Sequence, residues 1–88
     1  MDKFHVIKKY IDEFDYYSLL KHGAPDDEFD LYSREIAVLI QESDTVEEIA
    51  DLIADKLDSA FGNEVCPEKY LETARKIKYA MLKGKRFL

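Results

Sequence analysis

The chain has 88 residues, of which 47% are hydrophobic and 36% are charged, and its formal net charge at pH 7 is -6. This length fits one domain with one core and leaves little room for a deep, enclosed active site, while the apolar content excludes a disordered chain. The acidic balance argues against nucleic acid as the main ligand, because phosphate binding depends on a surplus of Lys and Arg.

Two further classes of protein are not expected from the sequence. No apolar run approaches the roughly 18 residues of a membrane span, and the start of the chain lacks the apolar core of a signal peptide. Cys66 is the only cysteine, so an intramolecular disulfide is impossible, which suits a reducing compartment. We therefore expect a cytoplasmic protein without a membrane partner.

The first predicted element is an amphipathic helix over residues 3–14. Its apolar side chains recur every three or four residues, at Phe4, Ile7, Ile11 and Phe14. Asp2 can cap the free N–H groups at its start. The spacing is lost after Phe14, and the following residues contain Gly23 and Pro25, which predict a loop held by its own apolar side chains.

Three further helices are predicted, over residues 26–41, 45–61 and 67–83. The second begins after Pro25, where the carboxylates of residues 26–28 would suit the positive end of the helix dipole. Thr45 and Glu48 have the spacing of a capping box at the start of the third helix, and Gly62 suits its end. No segment alternates as a strand does. The chain is thus predicted to be all-α, a single-domain bundle of four short helices spanning residues 1–88.

Charge is distributed unevenly along the chain. Residues 1–65 carry 17 acidic against 6 basic side chains, whereas residues 66–88 carry 2 against 7. One interpretation is that the basic last helix packs beside the acidic body of the protein. The other is that the acidic body faces a cationic partner.

The residues from 15 to 30 form the candidate site, because four carboxylates within five residues exceed what a turn or a helix start requires. The candidate binding residues are Asp15, Tyr16, Tyr17, Gly23, Pro25, Asp26, Asp27, Glu28 and Asp30. We expect the acidic side chains of residues 26, 27, 28 and 30 to steer a basic protein partner. Tyr16 or Tyr17 would anchor that partner, and Gly23 and Pro25 would shape the loop.

A metal site is a weaker interpretation of the same carboxylates. The spacing of Asp26, Glu28 and Asp30 resembles a calcium loop, but Leu31 stands where the sharp turn needs Gly and Ala37 where a bidentate Glu is needed, so an EF-hand is excluded. A looser Mg²⁺ or Ca²⁺ site made by residues 15, 27 and 30 stays open.

The two histidines and the cysteine do not indicate a catalytic site. His5, His22 and Cys66 have no recognised zinc or nucleophile spacing. We therefore predict no catalytic residue, no bound metal and no cofactor.

Several motifs resemble the DUF1871 family, which is typified by small YugE-like proteins of Bacillus and relatives. The matching stretches are Asp15, Leu19–Leu20, Gly23–Ala24–Pro25, residues 27–30, residues 43–50 and Phe61–Gly62. The family tends to have Trp-Asp-Pro where this chain has Phe14-Asp15-Tyr16. The resemblance covers most of residues 3–83 and implies a compact helical fold of unknown function.

Together these features predict a small cytoplasmic, bacterial, non-enzymatic protein-binding or regulatory module that uses the acidic loop of residues 15–30. The alternatives are a small metal-dependent hydrolase that uses the same carboxylates and an immunity-type inhibitor of a basic toxin. A structural homodimer is a third possibility.

Overall fold

The protein folds as a helical bundle, which a computed structural model describes over residues 2–85. The helices are α1 (Lys3–Phe14), α2 (Asp30–Leu39), α3 (Val46–Ala60) and α4 (Leu71–Lys85). Two short 3₁₀ turns occupy Tyr16–Ser18 and Pro67–Tyr70. Every regular element in this range is helical, which confirms the predicted all-α bundle. None of the described helices has both the length and the apolar character needed to cross a bilayer.

The starts of α1 and α3 follow the predicted capping chemistry. The Asp2 carboxylate accepts a hydrogen bond from the N–H of His5 at 2.9 Å. At α3 the N–H of Glu48 donates to Thr45 Oγ1 at 3.1 Å, and the N–H of Thr45 donates back to Glu48 Oε1 at 2.9 Å. This reciprocal pair satisfies two N–H groups that a helix start leaves without partners. The capping box is therefore confirmed.

Helix α2 starts four residues later than predicted, so residues 26–28 are not its first turn. In a continuous helix the carbonyl of Asp26 would accept from the N–H of Asp30. Here that carbonyl accepts from Lys8 Nζ on α1 at 2.9 Å, and the N–H of Asp30 bonds instead to the carbonyl of Asp27. A contact from α1, distant in sequence, thus turns the predicted helix start into a series of turns.

The fourth helix also differs from its predicted bounds. Pro67–Tyr70 forms a 3₁₀ turn in which the N–H of Lys69 bonds to the carbonyl of Cys66, and the α-helix begins only at Leu71. The Tyr70 ring is fully buried, and its hydroxyl is bonded to a side chain of α3. Tyr70, the last residue of the 3₁₀ turn, is therefore held against α3 where the α-helix begins.

The helices surround one core. Helices α1 and α3 each contact both α2 and α4, whereas α2 and α4 lie diagonally opposite each other. Lys3 Nζ donates to the carbonyl of Ile40 at 3.2 Å, which joins the start of α1 to the end of α2. The core residues are Ile7, Ile11, Tyr16, Phe29, Ile36, Ile40, Ile49, Ala50, Ile53, Ala54, Leu57, Tyr70, Ala74 and Ile77. Leu39 and Leu71, which the helical spacing predicts to be buried, are instead exposed.

Candidate functional site

The candidate site begins with a strained loop of residues 15–18, called here the tyrosine loop. Asp15, Tyr17 and Ser18 have φ angles of 52°, 56° and 54°, in the left-handed region that non-glycine residues rarely adopt. The Asp15 carboxylate accepts from the N–H groups of Leu20 and Lys21 at 2.7 and 3.0 Å. Asp15 therefore stabilises the loop from within, and its place among the residues that contact a partner stays a prediction.

The strain in the tyrosine loop can be measured at Ser18, whose side chain is exposed. Left-handed geometry costs a non-glycine residue about 1–2 kcal/mol, and glycine avoids this cost. Part of the gain is offset, because glycine also gives the unfolded chain more conformational entropy. We expect Ser18→Gly to raise the free energy of unfolding by about 0.5–1 kcal/mol in urea denaturation. Ser59→Gly, an exposed change inside α3, should lower it by about 0.5 kcal/mol. A loss of stability in Ser18→Gly would contradict the assignment of strain.

Tyr16 belongs to the core and cannot anchor a partner. Its side chain is 4% exposed, and its ring stacks on Phe61 with 4.6 Å between centroids. The Tyr16 hydroxyl donates to Asp58 Oδ1 at 2.9 Å and accepts from Asn63 Nδ2 at 2.6 Å. Of the two tyrosines that were predicted as the anchor, only Tyr17 is therefore left.

Asp58 on α3 is the centre of a buried polar network. Its carboxylate is fully buried and accepts from the hydroxyls of Tyr16 and Tyr70, from Lys69 Nζ and from the N–H of Cys66, at 2.6–2.9 Å. Burial alone would raise the pKa of Asp58, but these donors outweigh it and lower that pKa from 3.8 to about 2. Asp58 is thus held as a carboxylate that joins the tyrosine loop to the segment before α4.

The same network makes Tyr70 a poor acid or base. Burial and the bond to the Asp58 carboxylate raise the pKa of Tyr70 above its usual range, because both favour the neutral phenol. Asp58 holds the pKa of Lys69 above its ordinary value as well. A group that is to exchange protons near neutral pH needs a pKa close to 7. The pKa values of Tyr70 and Lys69 are both moved away from 7. The hydrogen bonds of this network therefore hold the tyrosine loop, the end of α3 and the segment before α4 together.

Tyr17 projects from the tyrosine loop towards solvent. Its side chain is 62% exposed, and its hydroxyl accepts from Asn63 Nδ2. Its ring meets Phe61 edge-on at 5.7 Å between centroids, and Phe61 also contacts Phe29 at 6.5 Å and Tyr32 at 5.9 Å. Phe29 directly follows the carboxylates of the candidate site. The Phe61 ring therefore links the exposed tyrosine to the acidic segment.

Residues 26–28, called here the acidic turn, lie on the surface. Gly23 has φ of 99°, which lets the chain bend, and Pro25 accepts at its carbonyl from the N–H of Glu28 at 3.0 Å. All three acidic side chains of the turn are exposed, and no other described residue forms an ion pair with them. The acidic turn thus presents three carboxylates to solvent on a backbone that is held by its own turn hydrogen bond and by Lys8 of α1.

Asp30 is separated from this exposed group. Lys8 Nζ lies 2.7 Å from Asp30 Oδ1 and 2.8 Å from Asp12 Oδ2, and the Asp30 side chain is one-fifth exposed. These acceptors raise the pKa of Lys8, since they favour its charged form. Asp30 therefore holds α2 to α1, and its role in steering a partner stays a prediction.

The carboxylates do not assemble a metal site. Within residues 2–85, no three His, Cys, Asp or Glu side chains are grouped so that they could hold a metal ion. Asp15 bonds to backbone N–H groups and Asp30 to Lys8, so these two acids are not arranged with Asp27 around a common point. His5, His22 and Cys66 form no such group either.

Two basic side chains of α4 contact other parts of the bundle. Lys76 Nζ lies 2.6 Å from Glu13 Oε1, and Lys78 Nζ donates to the backbone carbonyl of Glu42 at 3.1 Å. These contacts confirm that the basic last helix packs against the acidic body. Among the described residues no cation of α4 reaches the acidic turn, so its charge remains available to solvent.

Asp58 is the residue that sequence reasoning missed, although a signal was present. The buried side of α3 contains Ala50 and Ala54, and Asp58 continues the same spacing of four residues. A charged residue at a core position of a helix predicts buried donors around it. Its partners Tyr16 and Tyr70 are 42 and 12 residues away in sequence, so no local motif identifies them.

Fold and surface define a small all-α bundle with an exposed acidic turn and an exposed tyrosine, which are connected through the rings of Phe61 and Phe29. Comparison of the chain with family models, with curated proteins and with solved structures gave no match. Membership of the DUF1871 family therefore stays a prediction.

Proposed function

We propose that this protein is a non-enzymatic, cytoplasmic binding module for a basic protein partner. The observation that supports this most is the acidic turn, where Asp26, Asp27 and Glu28 are exposed and no described cation pairs with them. Unpaired surface carboxylates attract cations over about 10 Å at moderate salt and speed the approach of a basic partner. The DUF1871 resemblance and a bacterial origin are part of the same proposal. An inhibitor of a basic toxin would be one form of this activity.

Tyr17 is the proposed anchor of this surface. Tyrosine suits interfaces because its ring buries apolar area while its hydroxyl stays hydrogen-bonded. The Tyr17 ring is held by Phe61 and its hydroxyl by Asn63, so little side-chain freedom is left to lose on binding. Left-handed backbone at a surface aromatic residue is also typical of strained functional positions.

A pull-down from native cell lysate tests this proposal. Reversing the acidic turn by Asp26→Lys, Asp27→Lys and Glu28→Lys should remove a specific basic protein that the wild type captures, at least tenfold by mass spectrometry, while the helical circular dichroism is unchanged. Asp30 is left intact, since its reversal would break the contact with Lys8.

The matched control reverses three carboxylates on another surface. Glu47, Asp51 and Asp55 are exposed and four residues apart on one face of α3. Their replacement by Lys makes the same change in net charge and should leave capture within about twofold. Equal loss in both variants would show that only net charge matters and would reject the acidic turn as the site. Stoichiometric binding of Mg²⁺, Mn²⁺ or Ca²⁺ in calorimetry, lost in Asp27→Asn, would favour a metal-dependent enzyme instead.

A further inference from the structure

The outer face of α2 carries large apolar side chains in contact with solvent. Leu31 is 64% exposed and Val38 is 81% exposed. Because they are seven residues apart, they lie on one line along the helix, about 10 Å from each other and opposite the buried Ser33 and Ile36. Leu39, next to Val38, is 50% exposed. The solvent side of α2 thus exposes three large aliphatic side chains.

The charged side chains between Leu31 and Val38 contact the neighbouring helices on either side of α2. The Arg34 guanidinium lies 4.7 Å from the centre of the Phe4 ring on α1. Glu35 lies on the opposite side, with its carboxylate 3.9 Å from Lys56 Nζ on α3. A narrow apolar line from Leu31 to Val38 is therefore left open between two charged borders.

This line is continuous with the acidic turn. Leu31 follows Glu28 by three residues, so the three exposed carboxylates lie at the N-terminal end of the apolar line. The surface therefore offers negative charge at one end and aliphatic side chains along the next two helical turns. A matching partner needs cations beside apolar residues that are spaced on one face of a helix.

We propose that α2 and the acidic turn together bind a basic amphipathic helix. Its Lys or Arg side chains pair with the carboxylates of residues 26–28, and its apolar side chains pack on Leu31 and Val38. This inference rests on the proposed function and specifies the chemical class of its partner. A second copy of this chain fits less well, because Arg34 is the only cation of its α2 and cannot match three carboxylates.

The experiment uses a synthetic peptide of about 15 residues, made of Lys and Leu with Leu at helical spacing, and a scrambled peptide of the same composition. Titration of the isotope-labelled protein should shift the backbone amide signals of residues 26–28 together with those of Leu31 and Val38. The variant Leu31→Ser with Val38→Ser, which removes the apolar side chains without changing the charge, should bind the helical peptide at least tenfold more weakly. Leu82→Ser, an exposed change on α4 at the opposite side of the bundle, should alter affinity less than twofold.

The result can go against the inference in several distinguishable ways. Shifts centred on the outer face of α4, equal binding of the scrambled peptide, or a dissociation constant weaker than about 1 mM would overturn it. Self-association that Val38→Glu abolishes would assign the face to a second copy and overturn it too. If the lysate partner is lost on reversing the acidic turn but kept in the Leu31 and Val38 variant, the proposed function stands and this inference fails. Capture kept by both variants defeats the proposed function itself.

Discussion

Asp58→Ala is expected to lower the free energy of unfolding by about 3–5 kcal/mol, a large effect for a single substitution in a domain of this size. Removal of the carboxylate leaves the buried hydroxyls of Tyr16 and Tyr70 without their acceptor. The part-buried N–H of Cys66 and the more exposed ammonium of Lys69 lose the same acceptor. Each buried donor left without a partner costs about 1–3 kcal/mol, although their effects do not add fully. Urea denaturation followed by far-ultraviolet circular dichroism measures the loss.

The control for this substitution is Asp55→Ala on the same helix. Asp55 is exposed, so its removal should change the free energy of unfolding by less than about 0.5 kcal/mol. Because Asp58→Ala approaches the whole stability of a small domain, Asp58→Asn provides a milder variant that keeps an acceptor oxygen but loses the charge. A loss below about 1 kcal/mol in both Asp58 variants would show that the network adds little to stability.

The network around Asp58 also determines where the proposed anchor lies. Asp58 binds Tyr16, the residue before Tyr17, and Asn63 bridges the hydroxyls of both tyrosines. The end of α3, the tyrosine loop and the segment before α4 are therefore held as one unit. A binding surface that is rigid before the partner arrives loses less entropy on association, so a buried carboxylate can support binding without touching the partner.

The elements that could be predicted from the sequence are those whose causes are local. Helix α1 and the capping box at Thr45 depend on residues within four positions of each other, and both are confirmed. The start of α2 depends on Lys8, which is 18 residues from the carbonyl it binds, and a local pattern cannot indicate that competition. The predicted start at residue 26 was therefore wrong, although the helix itself exists.

The candidate site was predicted in part for the same reason. The exposed acidic turn follows from composition, since three adjacent carboxylates beside Pro25 are rarely buried. No sequence pattern indicates which of Tyr16 and Tyr17 is buried. The φ angle of Tyr17 is left-handed, so neither the helical nor the strand period describes where the neighbouring side chains point. The hydrogen bond to Asp58 assigns Tyr16 to the core, whereas the 62% exposure of Tyr17 assigns that ring to the surface.

A loss of stability at acid pH is the second large effect expected from Asp58. Its pKa is about 2 in the folded protein against 3.8 ordinarily, so the unfolded chain binds a proton first as the pH falls. The stabilisation is complete above about pH 5, declines between about pH 4 and pH 2, and amounts to about 2 kcal/mol. The free energy of unfolding falls with pH because the pKa of Asp58 is lower in the folded than in the unfolded chain. Protonation of Asp58 removes the charge that its hydrogen-bond donors stabilise.

Comparison with Asp58→Asn isolates this effect from other groups that titrate in the same range. Asp2 and Glu72 also have lowered pKa values, because of hydrogen bonds from His5 and Arg75, but they are present in both proteins and cancel in the difference. The gap in the free energy of unfolding between wild type and Asp58→Asn should shrink by about 2 kcal/mol from pH 7 to pH 2. A gap that stays constant over this range would mean that Asp58 titrates alike in the folded and unfolded chain, which would contradict a buried carboxylate held by four hydrogen-bond donors.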